Sequence, residues 1–441
     1  MIWVYRLLFP IGLVAGIPYY LLRMLRRGGY AEDFGHRLGL WPHLPEKNAN
    51  TRRIWIQAVS VGELLALGPL LKRLSGKKNI EIVLSTTTST GYRVARDRYG
   101  YLALAVGPFP LDFVPFSSRT WNRIEPDLAI LVDSELWPEH MYQARKRGVQ
   151  VAIVNARMSG RSFGRLSKTG WFRKLLVPPE LHVMASAAQE AEKWRKVGIR
   201  SARLSTTGNL KFDCQPEEIL DAKAKNELLM EFGFLPEETA SRPLVLFGAS
   251  TWPGEEEALI QFVLDNANHD PPVRLVLTPR HAERGDEVAA LLDKHQISWR
   301  RRSHETGAQG DGPLVYLADT TGELSRLVQV ADLVFVGKTL PPNEGGQNPV
   351  EAASFGIPLV FGPNTQNFSE MCRSLAETGA GIRVTDEEGL RKVLAGLLQD
   401  EGKRIAMGTA ARRWKEELQG ATNKTLELLL DLLESQTNKV R

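Results

Sequence analysis

Cysteine is almost absent from this chain. The two present, Cys214 and Cys372, lie far apart and in no metal-type spacing, so a disulfide framework is unsupported and a reducing compartment fits. No cysteine–histidine set has zinc spacing. The chain lacks a G-x-x-x-x-G-K-[ST] stretch, and no G-x-G-x-x-G follows its first strand-like run, which argues against P-loop hydrolysis and dinucleotide redox chemistry. Neither a short-period repeat nor a low-complexity segment occurs, so a solenoid or a disordered tail is not expected. No acidic residue precedes Glu32, and the uncharged run Leu7 to Leu22 is shorter than the roughly 20 residues a spanning helix needs.

What the N-terminus does have is an apolar run holding Pro10 and Pro18, preceded by Arg6 and followed by Arg23, Arg26 and Arg27. No small-x-small cleavage pattern follows, so a signal peptide is disfavoured. The reading is a membrane anchor or interfacial helix, with spanning open only if residues 1–5 are included and Arg6 snorkels. The basic cluster keeps the rest of the chain cytoplasmic. The composition, 43% hydrophobic and 24% charged, is that of a folded protein, and 441 residues exceed one ordinary core. The net charge of +5 favours anionic partners.

Beyond the anchor, short apolar runs alternate with helical patterns. Strands are expected near 53–59, 80–86, 102–106, 128–132, 149–154 and 182–185, with helices such as 63–74 and 141–147 between them. A second series follows a polar helical segment near 216–238, with strands near 244–249, 273–278, 314–316, 333–336, 359–361 and 382–384. This alternation predicts an α/β fold of two Rossmann-like, doubly wound domains, whose ligands lie at the carboxyl ends of the strands, between the halves. The expected divisions are an anchor at 1–30, a first domain at 31–205, a second at 206–415 and a C-terminal helix at 416–441. The tail from Lys403 to Glu434 reads as helical, with Leu426, Leu428, Leu429, Leu430, Leu432 and Leu433 as buried candidates.

Chemistry-bearing residues cluster where strands end. In Gly345-Gly346-Gln347-Asn348-Pro349-Val350-Glu351, two glycines let the backbone approach a ligand, Asn348 caps a helix with Pro349 at its first position, and the helix start suits a phosphate. Glu351 is placed for ribose hydroxyls. Ser60-Val61-Gly62-Glu63 opens a helix; there Glu63, with a lowered pKa, is a general base or simply a capping acid. Asp133 and Glu135 can bind a metal, stabilise positive charge, orient a base or cap the next helix. Arg157 and Arg161 suit an anionic group or a solvated loop. Lys211, at the proposed hinge, offsets phosphate charge or is a surface lysine. Ser250 and Thr251 hold a phosphate or cap the acidic helix start at Glu255-Glu256-Glu257. Arg280 can pair with phosphate, His281 is a ligand contact or structural, and the turn Thr321-Gly322-Glu323 can reach a base or ribose. Together these positions favour a nucleotide-sugar site.

Read in order, the stretches S-V-G-E, E-L-W-P, N-A-R-x-S-x-R-S, G-N-L-K-F-D, P-R-H-x-E-R, D-T-x-G-E-L and G-G-x-N-P-x-E-A resemble those of the 3-deoxy-D-manno-octulosonic acid (Kdo) transferases of lipopolysaccharide synthesis, from the N-terminus to about residue 400. The resemblance implies an inverting glycosyltransferase of the two-Rossmann GT-B type, moving Kdo from CMP-Kdo to a lipid A precursor at the inner membrane surface. Glu63 would be the base, Asp133 with Glu135 would stabilise the transition state, and Lys211 would counter charge on the donor or leaving CMP. Arg280, His281, Thr321, Gly322, Glu323, Asn348 and Glu351 would hold CMP. No metal, cofactor or nucleic-acid partner is needed in this scheme. Arg23, Arg26, Arg27 and Arg37 would favour an anionic lipid surface. The family typically has histidine at Gln57, Trp252 and Gln347, and glutamate at Asp133. Another GT-B enzyme using a UDP- or GDP-sugar, and a non-catalytic binding relative, are the competing readings.

Overall fold

The computed structural model describes residues 2–27, 32–48, 50–178, 180–214, 218–235, 242–304 and 312–440. The chain forms two compact units, Met1–Cys214 with Leu418–Arg441, and Gln215–Glu417. The boundaries therefore differ from those expected at residues 206 and 416. Residues 208–213, expected as a hinge, belong to the first unit, and so does the last helix.

Among the described residues each unit carries a seven-stranded parallel sheet. In the first, β1 (Arg52–Ala58), β2 (Ile80–Thr86), β3 (Ala105–Pro108), β4 (Leu128–Val132), β5 (Gln150–Ala156), β6 (His182–Ala185) and β7 (Leu204–Thr206) run in the order β3-β2-β1-β4-β5-β6-β7. In the second, β8 (Leu244–Thr251), β9 (Val273–Pro279), β10 (Trp299–Arg301), β11 (Val315–Leu317), β12 (Leu333–Val336), β13 (Leu359–Phe361) and β14 (Gly381–Arg383) run β10-β11-β9-β8-β12-β13-β14. Central strands such as β4, Leu-Ala-Ile-Leu-Val, are buried along their whole length, as parallel strands covered on both faces must be. The short edge strands β7 and β10 were not expected from the sequence.

The chain reverses its direction of winding at β1/β4 and at β8/β12. There the connections leave toward opposite sides of the sheet and leave the carboxyl ends of the two strands uncovered. Helix Val61–Ser75 follows β1 and buries Leu64, Leu67, Leu70 and Leu71 on the first sheet. The tail splits into helices Glu401–Glu417 and Ala421–Val440. The second returns to the first unit and buries Leu426, Leu429 and Leu433 in the same core, while Leu428, Leu430 and Leu432 are partly buried against it. Its start is fixed by Asp213, whose carboxylate accepts the N–H of Gly420 at 2.7 Å and that of Thr422. The polar segment expected near 216–238 contains helix Ala222–Glu231, while residues 215–217 and 236–241 lie outside the described residues.

The N-terminal helix, Ile2–Arg27, has 26 residues. No helix among the described residues is long and apolar enough to cross a membrane, so the spanning form of the anchor is unsupported. Its inner side is polar and anchored. Arg6 clamps the fully buried Glu139 carboxylate at 2.8 and 2.9 Å, and the Tyr5 hydroxyl donates to Asp112 at 2.5 Å. Asp112 also accepts the N–H groups of Glu139 and His140 at 3.1 and 2.9 Å, which begins helix Pro138–Lys146. Arg37, expected to face lipid, donates to the Thr87 carbonyl at 2.7 Å. The side chains of Arg23, Arg26 and Arg27 lie outside the described residues.

Breaking a buried pair leaves an uncompensated charge. An Arg6→Met variant should therefore lose about 3 kcal/mol of first-unit stability in urea unfolding, and Glu139→Gln in the same background should recover part of it. Unchanged stability in Arg6→Met would show that the helix is not held by this pair.

Candidate active site

At the β1/β4 reversal, Ser60 caps helix Val61–Ser75 and the Glu63 side chain folds back over it. The Ser60 hydroxyl oxygen accepts the Glu63 N–H at 3.4 Å. The Glu63 carboxylate in turn accepts the Val59 N–H at 2.8 Å and the Ser60 hydroxyl at 3.1 Å. This reciprocal cap sets the side chain's orientation. The expected lowering of the Glu63 pKa is reversed: burial pushes it up, Asp133 adds to this, and the Val59 and Ser60 bonds and Arg157 oppose it. The cap and the dipole do not outweigh lost hydration.

Asp133 and Asn155, just past β4 and at the end of β5, both have left-handed backbones, with φ of 60° and 53°. Such strain in non-glycine residues persists only where surrounding bonds impose it. Here the Asn155 amide donates to Asp133 at 2.8 Å, and its oxygen accepts the Leu210 N–H at 3.1 Å. One amide thus joins the end of β4 to the turn Leu210–Asp213 that carries Lys211. Arg157 pairs with the other Asp133 oxygen. Glu135 is pushed up to about 7 by burial and by the charges of Glu63 and Asp133. Burial and Arg157 lower the Lys211 pKa, while Asp133 and Glu63 raise it. Glu63, Asp133, Glu135, Arg157 and Lys211 therefore form one electrostatically coupled set, whereas Arg161 is exposed in helix Gly160–Lys168. Gln57 is built into the sheet, donating to Thr87 at 2.9 Å and accepting the Ser85 hydroxyl at 2.7 Å.

At the β8/β12 reversal the central group is Glu255, which is 1% exposed. Its carboxylate accepts four backbone N–H groups, from Trp252 at 3.0 Å, Lys338 and Thr339 at 2.8 Å, and Leu340 at 3.0 Å. The sequence presents Glu255 only as one of three acids at a helix start. Arg280 is exposed just after β9, and its charge opposes the burial that raises Glu351. His281 meets the Trp252 ring edge-on at 5.6 Å. Asn348 accepts the Val350 N–H at 3.2 Å, so it caps the short helix Val350–Ser354 across Pro349, which precedes rather than begins it. Thr321 and Gly322 are exposed in their turn. Glu323 is taken up by Arg302, at 2.7 and 2.6 Å, and by Thr320, which holds its carboxyl below the usual range. Among the described residues, no hydrogen bond or ion pair joins this turn to Arg280 or Glu351. Arg302 went unnoticed because it follows the unrecognised strand β10. No group of three or more His, Cys, Asp or Glu is placed to hold a metal among the described residues.

The family model for 3-deoxy-D-manno-octulosonic-acid transferase (kdotransferase) matches residues 32–214. The 3-deoxy-D-manno-octulosonic acid transferase of Bordetella pertussis is 33% identical over 389 residues, covering 86% of this chain and 87% of that protein. That of Haemophilus influenzae is 31% identical over 390 residues, covering 86% and 87%. In fold, the chain is similar to UDP-GlcNAc 2-epimerase from Neisseria meningitidis bound to UDP-GlcNAc, with a TM-score of 0.57 at 12% identity, over 87% of this chain and 100% of that one. Two doubly wound units, each with a parallel seven-stranded sheet, define a protein of the GT-B-like α/β class. Within that class, the chain belongs to the 3-deoxy-D-manno-octulosonic acid transferase family. As a member of that family it is a glycosyltransferase.

The raised carboxyl of Glu135 has a testable sign. Folding binds a proton there between its ordinary 4.5 and about 7, so the stability it contributes is lost as pH rises through about 7. A Glu135→Gln variant should be more stable than wild type by about 1–3 kcal/mol above pH 7, with the difference vanishing near pH 4.5. Thermal melts across this range check it, and a difference independent of pH would contradict the assignment.

Proposed function

We propose that the chain moves Kdo from CMP-Kdo to a lipid A precursor, with Glu63 as general base. The coupled set at the β1/β4 reversal carries this reading. Burial and Asp133 raise the Glu63 carboxyl, which makes it a better proton acceptor for an acceptor hydroxyl, and its reciprocal cap holds it in one orientation. As the hydroxyl oxygen bonds to the anomeric carbon, the bond to the CMP phosphate breaks and positive character develops on the sugar. Asp133, held by Asn155 and Arg157, stabilises that charge together with Glu135. Lys211 offsets negative charge on the donor or leaving CMP. Electrostatics from fixed cations does the work that a metal does elsewhere.

In the second unit, Arg280 pairs with phosphate, Glu351 accepts from the ribose hydroxyls, and the Thr321–Glu323 turn contacts the nucleotide. Because the Glu323 carboxylate is occupied by Arg302, its part is to shape that turn. Asn348 sets the start of the helix that carries Glu351.

The N-terminal helix is read as an interfacial anchor at the cytoplasmic face of the inner membrane. Tyr5 and Arg6 are tied to the protein body and Phe9 stacks on Phe113, while Trp3, Leu7, Leu8, Ile11 and Val14 are exposed. That exposed apolar side supports a helix lying in the membrane plane.

Wild-type protein should release CMP from CMP-Kdo when given a tetraacylated lipid A precursor. Glu63→Gln, which can keep the cap, should lose about 100- to 10,000-fold in rate with its melting temperature nearly unchanged. Full turnover by this variant would remove Glu63 as the base. A Leu7→Ser, Ile11→Ser double variant should no longer sediment with anionic phospholipid vesicles; undiminished binding would contradict the interfacial anchor.

A further inference from the structure

Strands β8 and β12 are neighbours at the point where the second sheet reverses its winding. Two non-glycine residues there have left-handed backbones: Ser250, next to last in β8, at φ 56°, and Lys338, just past β12, at φ 61°. A lysine rarely adopts this conformation, and it is held here by the three N–H bonds from residues 338–340 to Glu255. Gly337 is required alongside, since a Cβ there would lie 2.2 Å from the Ser250 carbonyl oxygen. The turn carries the Lys338 ammonium to 4.3 Å from the ring centroid of Trp252, whose backbone N–H donates to the same Glu255. The indole face attracts a cation without using up its hydrogen-bond donors.

Among the described residues the Lys338 ammonium has no carboxylate partner. Two further donors at this strand end, Trp252 Nε1 and Thr251 Oγ1, are buried with no hydrogen-bond partner. A cation on a strained backbone thus stands on the Trp252 ring just past the carboxyl ends of the two switch strands, where α/β sheets bind ligands. We propose that Lys338, held on the Trp252 ring, binds an anionic oxygen of the sugar donor, either the phosphate linking nucleotide to sugar or the sugar carboxylate. This rests on the CMP-sugar reading given above and adds a residue to its donor site.

The test compares wild type with Lys338→Met, which keeps the aliphatic stem, by calorimetry with CMP, cytidine and CMP-Kdo in the absence of acceptor. If Lys338 holds the phosphate, the variant should bind CMP about tenfold more weakly with cytidine unaffected. If it holds the carboxylate, CMP should be unchanged and CMP-Kdo about tenfold weaker. Lys338→Arg should retain most of the affinity, and Trp252→Phe more than Trp252→Ala. Unchanged affinity for both CMP and CMP-Kdo, or an equal loss on cytidine, would overturn the proposal. Wild-type protein that binds CMP-Kdo but transfers nothing would instead overturn the reaction, and the affinity comparison would still decide Lys338.

Discussion

In a parallel sheet wound both ways, two neighbouring strands must send their connections to opposite sides, and nothing in the sheet covers the gap above their carboxyl ends. Both units meet this constraint at their centres, between β1 and β4 and between β8 and β12. Backbone groups at such a gap need partners from side chains. The first unit uses the Asn155 amide and the Glu63–Ser60 cap, and the second uses the Glu255 carboxylate. These bonds hold strained residues in place: Asp133 and Asn155 in one sheet, Ser250 and Lys338 in the other. The side chains that can do chemistry are attached to those same residues or stand next to them.

At the first reversal the constraint gathers titratable groups. Glu63, Asp133 and Glu135 repel one another in a poorly hydrated place, so the carboxyls of Glu63 and Glu135 rise. Arg157 opposes the rise at Glu63 and pairs directly with Asp133. Burial thus raises Glu63 beside an Asp133 that is paired with Arg157. The proposed function assigns acceptor chemistry to one unit and nucleotide recognition to the other.

Much of this was legible in the sequence, because it depends on local order. Central strands read as continuous apolar runs, and Glu63, Asp133, Glu135, Arg157 and Arg280 stand shortly after such runs end. The family motifs S-V-G-E to G-G-x-N-P-x-E-A could be read in order. What could not be read depends on partners distant in the chain. Glu63 was expected to be acidified by its helix start, but burial is a property of the assembled sheet. Lys211 was placed at a hinge, whereas Asp213 binds the start of a helix at Gly420 and Thr422 and keeps the turn in the first unit. Glu255 looks no different from Glu256 or Glu257 until the loop after β12 folds onto it. Arg302 follows the strand Trp299–Arg301, whose arginines conceal it, and so the fate of Glu323 was hidden too.

The proposed reaction is a transfer from a CMP-linked sugar to a lipid. Mass spectrometry of the lipid fraction after incubation with CMP-Kdo and a tetraacylated lipid A precursor tests it most directly. The account predicts lipid heavier by one or more Kdo residues, with CMP released in matching amount. Unmodified lipid, whether or not CMP is released, would contradict it.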